Sequence, residues 1–301
     1  VDESCAGGSE GSATVVGTGG VAPYSSVWSN SQTGATATGL SAGIYTATVT
    51  DANSCVAQVT VTIEAPASVG VNTSVVAVSC NGGSNGSATA TGTGGTAPYS
   101  YAWSNSQTGA TATGLSAGMY TVTVSDANNC TGTAQVTIVE PTALALTSSA
   151  TAATCQSSST GSASVVATGG TGSYSYVWST LPIQTGSTAV KLSAGSYTVT
   201  VSDANNCTET AQVTITEPAT AGSVSASKTD PDCSGGTAGE ITATGSGGTG
   251  SIAYSLNGGA YQSTGTFTGL GSGTYLVTAR DANGCTGTAT VILSDPTGPS
   301  V

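Results

Sequence analysis

Eight cysteines fall in four pairs, Cys5/Cys55, Cys80/Cys130, Cys155/Cys207 and Cys233/Cys285, with 50, 50, 52 and 52 residues within a pair and 75, 75 and 78 from one pair to the next. That beat describes four copies of one small module, not one large domain. The copies align well beyond their cysteines: residues 17–49 match 92–124 at 28 of 33 positions. The third copy keeps the frame as GGTGSYSYVWS and KLSAGSYTVTVSDANNC, while the fourth has Leu256 where the others carry Trp. A period this long exceeds the 20–50 residues of solenoid repeats and suits a string of independent domains.

Each copy ends in an acid and a proline, Glu64/Pro66, Glu140/Pro141, Glu217/Pro218 and Asp295/Pro296, which sets modules at 1–66, 67–141, 142–218 and 219–301. Proline stops ladder pairing and stiffens the junctions, so the expectation is an extended rod with restricted bending. Copies two to four have room for a strand between that proline and their first cysteine, whereas copy one has only Val1–Ser4. Its first strand is expected to be missing, supplied by an upstream repeat of a longer chain, or donated by another molecule.

Cysteines without C-x-x-C spacing point to disulfides and an oxidising compartment. The simplest pairing is within modules: Cys5–Cys55, Cys80–Cys130, Cys155–Cys207 and Cys233–Cys285. Each bridge would close a loop of roughly 50 residues and add about 4 kcal/mol by the chain-entropy estimate. The rival pairing joins Cys55 to Cys80, Cys130 to Cys155 and Cys207 to Cys233, leaving Cys5 and Cys285 free.

The secondary structure reads as all-β. Tyr120, Val122 and Val124 alternate with polar residues, Asp126–Asn129 supplies a turn, and Ala134, Val136 and Ile138 alternate again, which is a hairpin repeated in every copy. Short strands separated by turns predict four tandem immunoglobulin-like antiparallel β-sandwiches. Tyr45, Tyr120, Tyr197 and Tyr275, each opening a strand after a Gly-containing corner, are candidates for the tyrosine corner of that fold. Trp28, Trp103 and Trp178 are then expected in the core.

Composition excludes several functions. The chain has 15 acidic residues, three basic ones (Lys191, Lys228, Arg280) and no histidine. Nucleic acid is excluded as a partner, since phosphate neutralisation needs clustered cations. No apolar run is long enough for a membrane helix, so membrane insertion is not expected. Without histidine there is no Ser-His-Asp or Cys-His arrangement. Eight of the 15 acids stand at repeated hairpin or junction positions, and a catalytic pair would be expected once, so no enzyme and no catalytic residue is expected.

Two binding readings compete with bland ones. Asp51, Asp126, Asp203 and Asp281, each followed by Ala and Asn (D-A-N), offer hard oxygen ligands for Ca2+, with Asp230 and Asp232 of the fourth copy as further candidates. One Asp and one Asn fall short of six to eight ligands, and D-A-N is ordinary turn chemistry, so no metal or other cofactor is expected. Tyr99, Tyr101 and Trp103, with Tyr174, Tyr176 and Trp178, could form a carbohydrate platform. Core packing is the simpler role.

The strings GG-T-A-P-Y-S-Y-x-W-S and G-L-S-A-G-x-Y-T-V-T-V-x-D-A-N-x-C resemble the SprB repeat of large cell-surface adhesins of gliding Bacteroidota. The likeness covers the first three copies almost end to end, and the fourth in part. The resemblance implies a secreted, surface-attached filament for adhesion or gliding, exported by the type IX system, with no catalytic residue to carry over. The reading is an extracellular, non-enzymatic structural or adhesive array. Its expected partners are other copies or neighbouring repeats, joined head to tail or by strand addition, and surface polysaccharide. A glycan-binding adhesin with a weak site per repeat is the alternative.

Overall fold

A computed structural model describes residues 1–218 and 222–297, so the expected start of the fourth module at 219 and the last residues of the tail, 298–301, lie outside the described residues. The chain divides into two compact units, Val1–Ala143 and Leu144–Val301. Each holds two β-sandwiches, and among the described residues there is no helix, hence none that could cross a membrane.

In the first unit, sandwich 1 comprises β1 (Gly11–Thr14), β2 (Ser25–Trp28), β3 (Thr36–Leu40), β4 (Gly43–Thr50) and β5 (Val56–Ile63). Sandwich 2 comprises β6 (Gly70–Val76), β7 (Gly86–Thr93), β8 (Ser100–Trp103), β9 (Thr111–Leu115), β10 (Gly118–Ser125) and β11 (Thr131–Ile138). In the second unit, sandwich 3 comprises β12 (Ala145–Thr151), β13 (Gly161–Thr168), β14 (Ser175–Trp178), β15 (Thr188–Leu192), β16 (Gly195–Ser202) and β17 (Thr208–Ile215). Sandwich 4 comprises β18 (Ser223–Thr229), β19 (Gly239–Ser246), β20 (Ala253–Leu256), β21 (Thr266–Leu270), β22 (Gly273–Arg280) and β23 (Thr286–Leu293).

Sandwich 2 shows the common plan. One sheet has the order β6-β7-β9 and the other β8-β10-β11, antiparallel throughout. This is the immunoglobulin constant-type arrangement without its fourth-strand edge. Burial alternates as the sequence pattern requires. In β7 the small residues Ala88 and Ala90 face inward, and across the core Val122, Val124, Val136 and Ile138 complete the opposing layer. Trp103 lies opposite Val122 in the β8–β10 ladder and is 4% exposed. Its Nε1 donates to the Gly109 carbonyl at 2.9 Å, so the one polar atom of the ring is satisfied where it is buried. Tyr120 opens β10, and its hydroxyl donates back to Ser116 O at 3.2 Å. The same corner bond joins Tyr45 to Ser41, Tyr197 to Ser193 and Tyr275 to Gly271.

Sandwich 4 keeps this plan with a different core. Leu256 stands where the others have Trp, and the lost volume is restored from the opposite sheet: Ile241 replaces the inward Ala88 position, and Phe267 the Ala112 position. Volume-conserving exchange of this kind preserves a core.

Sandwich 1 differs at one edge. Its first sheet has two strands, β1 and β3, where the other three sandwiches have three. Val1 exchanges hydrogen bonds with Ser12, the register in which Val76 meets Ser87 in sandwich 2. Beyond that pair, no strand of the described residues lies along the outer edge of β1.

Candidate functional site

Each sandwich has two poles, and the loops at them carry the repeated polar residues. At the N-terminal pole of sandwich 2, Gly95 N donates to Ala67 O and Ala127 N to Thr96 O, both at 2.8 Å. These bonds gather the incoming chain, the β7–β8 loop and the β10–β11 turn. At the C-terminal pole, Val78 N donates to Val139 O at 2.9 Å, and Gly82 N to a Glu140 carboxylate oxygen at 2.7 Å. The junction acid Glu140 thus holds the β6–β7 loop against the outgoing chain, and Glu217 does the same for Ser157 N in sandwich 3.

Cys80 sits in the β6–β7 loop and Cys130 at the β10–β11 turn, so the two cysteines of a module stand at opposite poles. An eight-residue strand separates those poles by roughly 25 Å at about 3.3 Å per residue, far beyond disulfide reach. The bridges therefore run between modules. Cys5 bonds Cys130 with a Cα–Cα distance of 5.5 Å, and Cys155 bonds Cys285 with 5.6 Å. This overturns the within-module expectation at every pair. Cys5 is not joined to Cys55, nor Cys80 to Cys130, nor Cys155 to Cys207, nor Cys233 to Cys285. The rival expectation of Cys130–Cys155 fails with it. Cys55 and Cys233 are free and exposed, whereas Cys80 and Cys207 are not free.

At both described junctions the sulfur is seated in the same way. Cys130 Sγ lies 3.1 Å from Ser4 O, with Asn128 Nδ2 donating to that carbonyl at 3.2 Å. Cys285 Sγ lies 3.3 Å from Thr154 O.

The hairpin aspartates serve these turns. Asp126 Oδ1 accepts N–H from Asn128 and Cys130, each at 2.9 Å, while Oδ2 accepts Thr96 N–H at 2.8 Å from the neighbouring loop. Asp51, Asp203 and Asp281 repeat this set with Val21, Thr171 and Thr249. Three N–H donors favour the ionised form and hold each carboxyl below its ordinary range. The Thr96 N–H is the leading cause for Asp126, Val21 N–H for Asp51 and Thr249 N–H for Asp281. At Asp203 burial opposes the shift most strongly, and the N–H groups of Thr171, Cys207 and Asn205 outweigh it.

The carboxylate reaches the neighbouring loop because a glycine lies beneath it. A Cβ on Gly95 would come within 2.6 Å of Asp126 Oδ2, and its φ is +58°. Gly20, Gly170 and Gly248 repeat the arrangement. In sequence these glycines read only as loop breakers; the signal for their role is the second Gly of GG recurring 31 residues before D-A-N in the first two copies and 33 in the last two.

The other candidates fall into separate places. Asp230 pairs with Lys228 at 2.9 Å and accepts Ser294 N–H at 2.8 Å, closing the C-terminal pole of sandwich 4; its bond from Ser294, then that from Lys228, lowers its pKa. Asp232 lies in the β18–β19 loop, and among the described residues no three acidic, His or Cys side chains converge as a metal-ligand group. Trp28, Trp103 and Trp178 are all buried, with Tyr99, Tyr101, Tyr174 and Tyr176 half-buried against the same cores. In sandwich 1 a groove of about 330 Å³ runs along the open edge, lined by Val15, Val16, Tyr24, Val49, Cys55 and Val59 among others.

Comparison with known proteins agrees with the repeat structure. The SprB repeat family model matches residues 1–33, 72–108, 147–182 and 225–261, the first half of each module. No curated protein sequence matches the chain. Among solved structures, the chain is similar to a tetra-tandem repeat in the extending region of a large adhesion protein, at 15% identity, over 94% of each chain, with a TM-score of 0.29. It is also similar to Sidekick-1 immunoglobulin domains 1–5, at 11% identity, over 84% of this chain and 66% of that one, with a TM-score of 0.32. The SprB repeat model thus recurs four times across the chain, once in each sandwich, in agreement with the resemblance read from the sequence.

Proposed function

We propose that the chain is a non-enzymatic segment of an extracellular adhesion-type array, a filament or stalk at the cell surface that serves attachment or gliding and is exported by the type IX system. The observation that carries this reading is the covalent tie from one sandwich to the next, Cys5–Cys130 and Cys155–Cys285. A bridge inside a domain would stabilise that domain alone. A bridge between domains resists their separation, which is useful where a chain bears tension. The repeated acids are engaged with backbone N–H groups, and the tryptophan faces are spent in the cores, so the repeats contribute length more readily than a binding surface. The four matches to the SprB repeat support the same reading.

A domain swap tests it. The four repeats are replaced in the cell by an unrelated string of four disulfide-linked sandwiches, and surface attachment is measured. Retention of attachment with the substitute, and its loss when the repeats are shortened to one, is the expected result. Failure of the substitute, together with binding of the isolated chain to surface polysaccharide, would replace the spacer reading with the glycan-binding one.

A further inference from the structure

Sandwich 4 departs from the other three on one outer face. In its β20-β22-β23 sheet Arg280 lies between Ala253 and Thr286, and Thr278 faces Thr288 in the next outward row. The position of Arg280 is Thr50 in sandwich 1, Ser125 in sandwich 2 and Ser202 in sandwich 3. The outward rows of β4–β5, β10–β11 and β16–β17 are neutral, so Arg280 is the one charge set into such a face.

A cation in an acidic chain ordinarily finds a carboxylate. Arg280 finds none, although the chain has 15 acidic residues against three basic ones. Among the described residues its guanidinium makes no ion pair and no hydrogen bond; the ion pair there is Lys228–Asp230. Asp281, the next residue, turns its carboxylate onto the N–H groups of Thr249, Asn283 and Cys285. Arg280 is stacked instead on the Tyr261 ring, with Cζ 3.9 Å from the ring centroid. Stacking fixes the guanidinium plane and leaves its N–H edge unoccupied, so little freedom is lost when that edge meets a ligand. Tyr261 is held in turn by the β20–β21 loop. Tyr254 N donates to Gln262 O at 2.7 Å and Gln262 N to Tyr254 O at 2.8 Å, which closes the loop's base. Asn257 Oδ1 accepts Leu276 N–H at 2.8 Å and pins the loop to β22. Tyr261 itself stays 37% exposed, and Arg280 is exposed beside it.

We propose that Arg280 and Tyr261 form a binding site on sandwich 4 for the carboxylated sugars of an acidic polysaccharide. Three chemistries meet there: a fixed guanidinium edge, an aromatic ring, and the hydroxyls of Thr278, Thr286 and Thr288 on the same face. The guanidinium takes a carboxylate through two parallel N–H···O bonds. The C–H face of a pyranose ring packs on the tyrosine, and the threonine hydroxyls exchange hydrogen bonds with sugar hydroxyls. An acidic peptide would engage the guanidinium and leave the ring and the hydroxyls unused. Nucleic acid needs clustered cations, which this face lacks. A single ion pair at a surface is weak, so the site acts as a point of contact and not as an anchor. The inference goes beyond the spacer reading: the other sandwiches supply length, and the divergent one adds a ligand.

The test titrates the purified full chain with tetragalacturonate and reads binding by ligand saturation-transfer NMR, which detects weak complexes. Arg280→Ser installs the residue that sandwiches 2 and 3 carry at this place, and an unchanged urea midpoint checks that sandwich 4 stays folded. Wild type is expected to bind saturably, and Arg280→Ser about tenfold more weakly or worse, the worth of a charged hydrogen-bonded pair. Arg280→Lys, which keeps the charge without the planar fork, and Tyr261→Leu, which keeps the charge without the ring, should each weaken binding as well. The same oligomer with its carboxylates reduced to alcohols should not bind. Absence of saturable binding by wild type, or equal binding by Arg280→Ser, would overturn the proposal. So would full binding by both Arg280→Lys and Tyr261→Leu, which would leave only charge attraction, or tetraglutamate binding as tightly as the sugar, which would assign the face to an acidic peptide. The domain swap reads attachment by a string that lacks both residues, so the two readings fail separately.

Discussion

Removing Cys5 should weaken two sandwiches, although it belongs to one. Consider sandwich 2 unfolding while sandwich 1 stays folded. Glu3 N donates to Glu64 O at 3.0 Å, so Cys5 is held beside the point where the chain leaves sandwich 1. The bridge to Cys130 then closes a loop running from about residue 64 to 130 through unfolded sandwich 2. For a loop of roughly 65 residues the chain-entropy estimate is about 4 kcal/mol. Now let sandwich 1 unfold with sandwich 2 folded. Cys130 is held near Ala67 at the N-terminal pole, and the loop from Cys5 to there is of nearly equal length, so the effect is again about 4 kcal/mol. The assay is amide hydrogen exchange by mass spectrometry on the oxidised full chain. In Cys5→Ser, the protected amides of β4–β5 and of β10–β11 should both exchange about a thousandfold faster, since about 1.4 kcal/mol is a factor of ten. Cys55→Ser, which removes a free thiol, should leave both within a factor of ten. The reasoning is refuted if Cys5→Ser accelerates sandwich 1 alone, or if Cys55→Ser reproduces the loss in sandwich 1. Either result would mean that the bridge lies inside the module.

Two further outcomes follow from the cores and turns. Trp103→Ala should destabilise sandwich 2 by about 3–5 kcal/mol, a large part of a small domain's margin, seen as a lower urea midpoint for its amides with the other sandwiches unchanged. The turn aspartates should make the array acid-labile. Their folded pKa values lie below the ordinary carboxylate range, so their stabilisation is fully present above about pH 4 and is lost as pH falls through the lower folded values. Urea midpoints should therefore drop between neutral pH and pH 2, and Asp126→Asn should lower the neutral-pH midpoint of sandwich 2 while flattening its acid slope.

The fold was legible because its signals are local. Alternation in Tyr120–Val124 and Ala134–Ile138 sets the hairpin, and Leu-Ser-Ala-Gly-x-Tyr sets the corner whose hydroxyl bond the structure contains. Burial of the tryptophans followed from the same alternation. The turn aspartates were readable as turn formers. What they reach across to was not, because Thr96 is 30 residues away and only the folded sandwich brings the β7–β8 loop beside the β10–β11 turn.

The cysteine pairing does not follow from spacing, for a reason the strands themselves explain. Spacing along the chain says how long a loop a bridge would close, but the parity of strand crossings decides which pole each cysteine occupies. Between Cys80 and Cys130 the chain has four strands, and four full crossings would return it to the pole it left. Yet β8 has four residues and β9 five, half the length of β7 and β10. Trp103 N bonds Gln107 O in a tight turn after β8, and β9 then starts midway along β7, where Thr111 faces Thr89, and runs to the C-terminal pole at Leu115 opposite Gly86. Together β8 and β9 make one crossing, so the total is three, and an odd number leaves Cys130 at the opposite end from Cys80. The two short strands, which carry the chain from one sheet to the other, are therefore what directs each cysteine outward to a neighbour and makes a repeating array out of a repeating sequence.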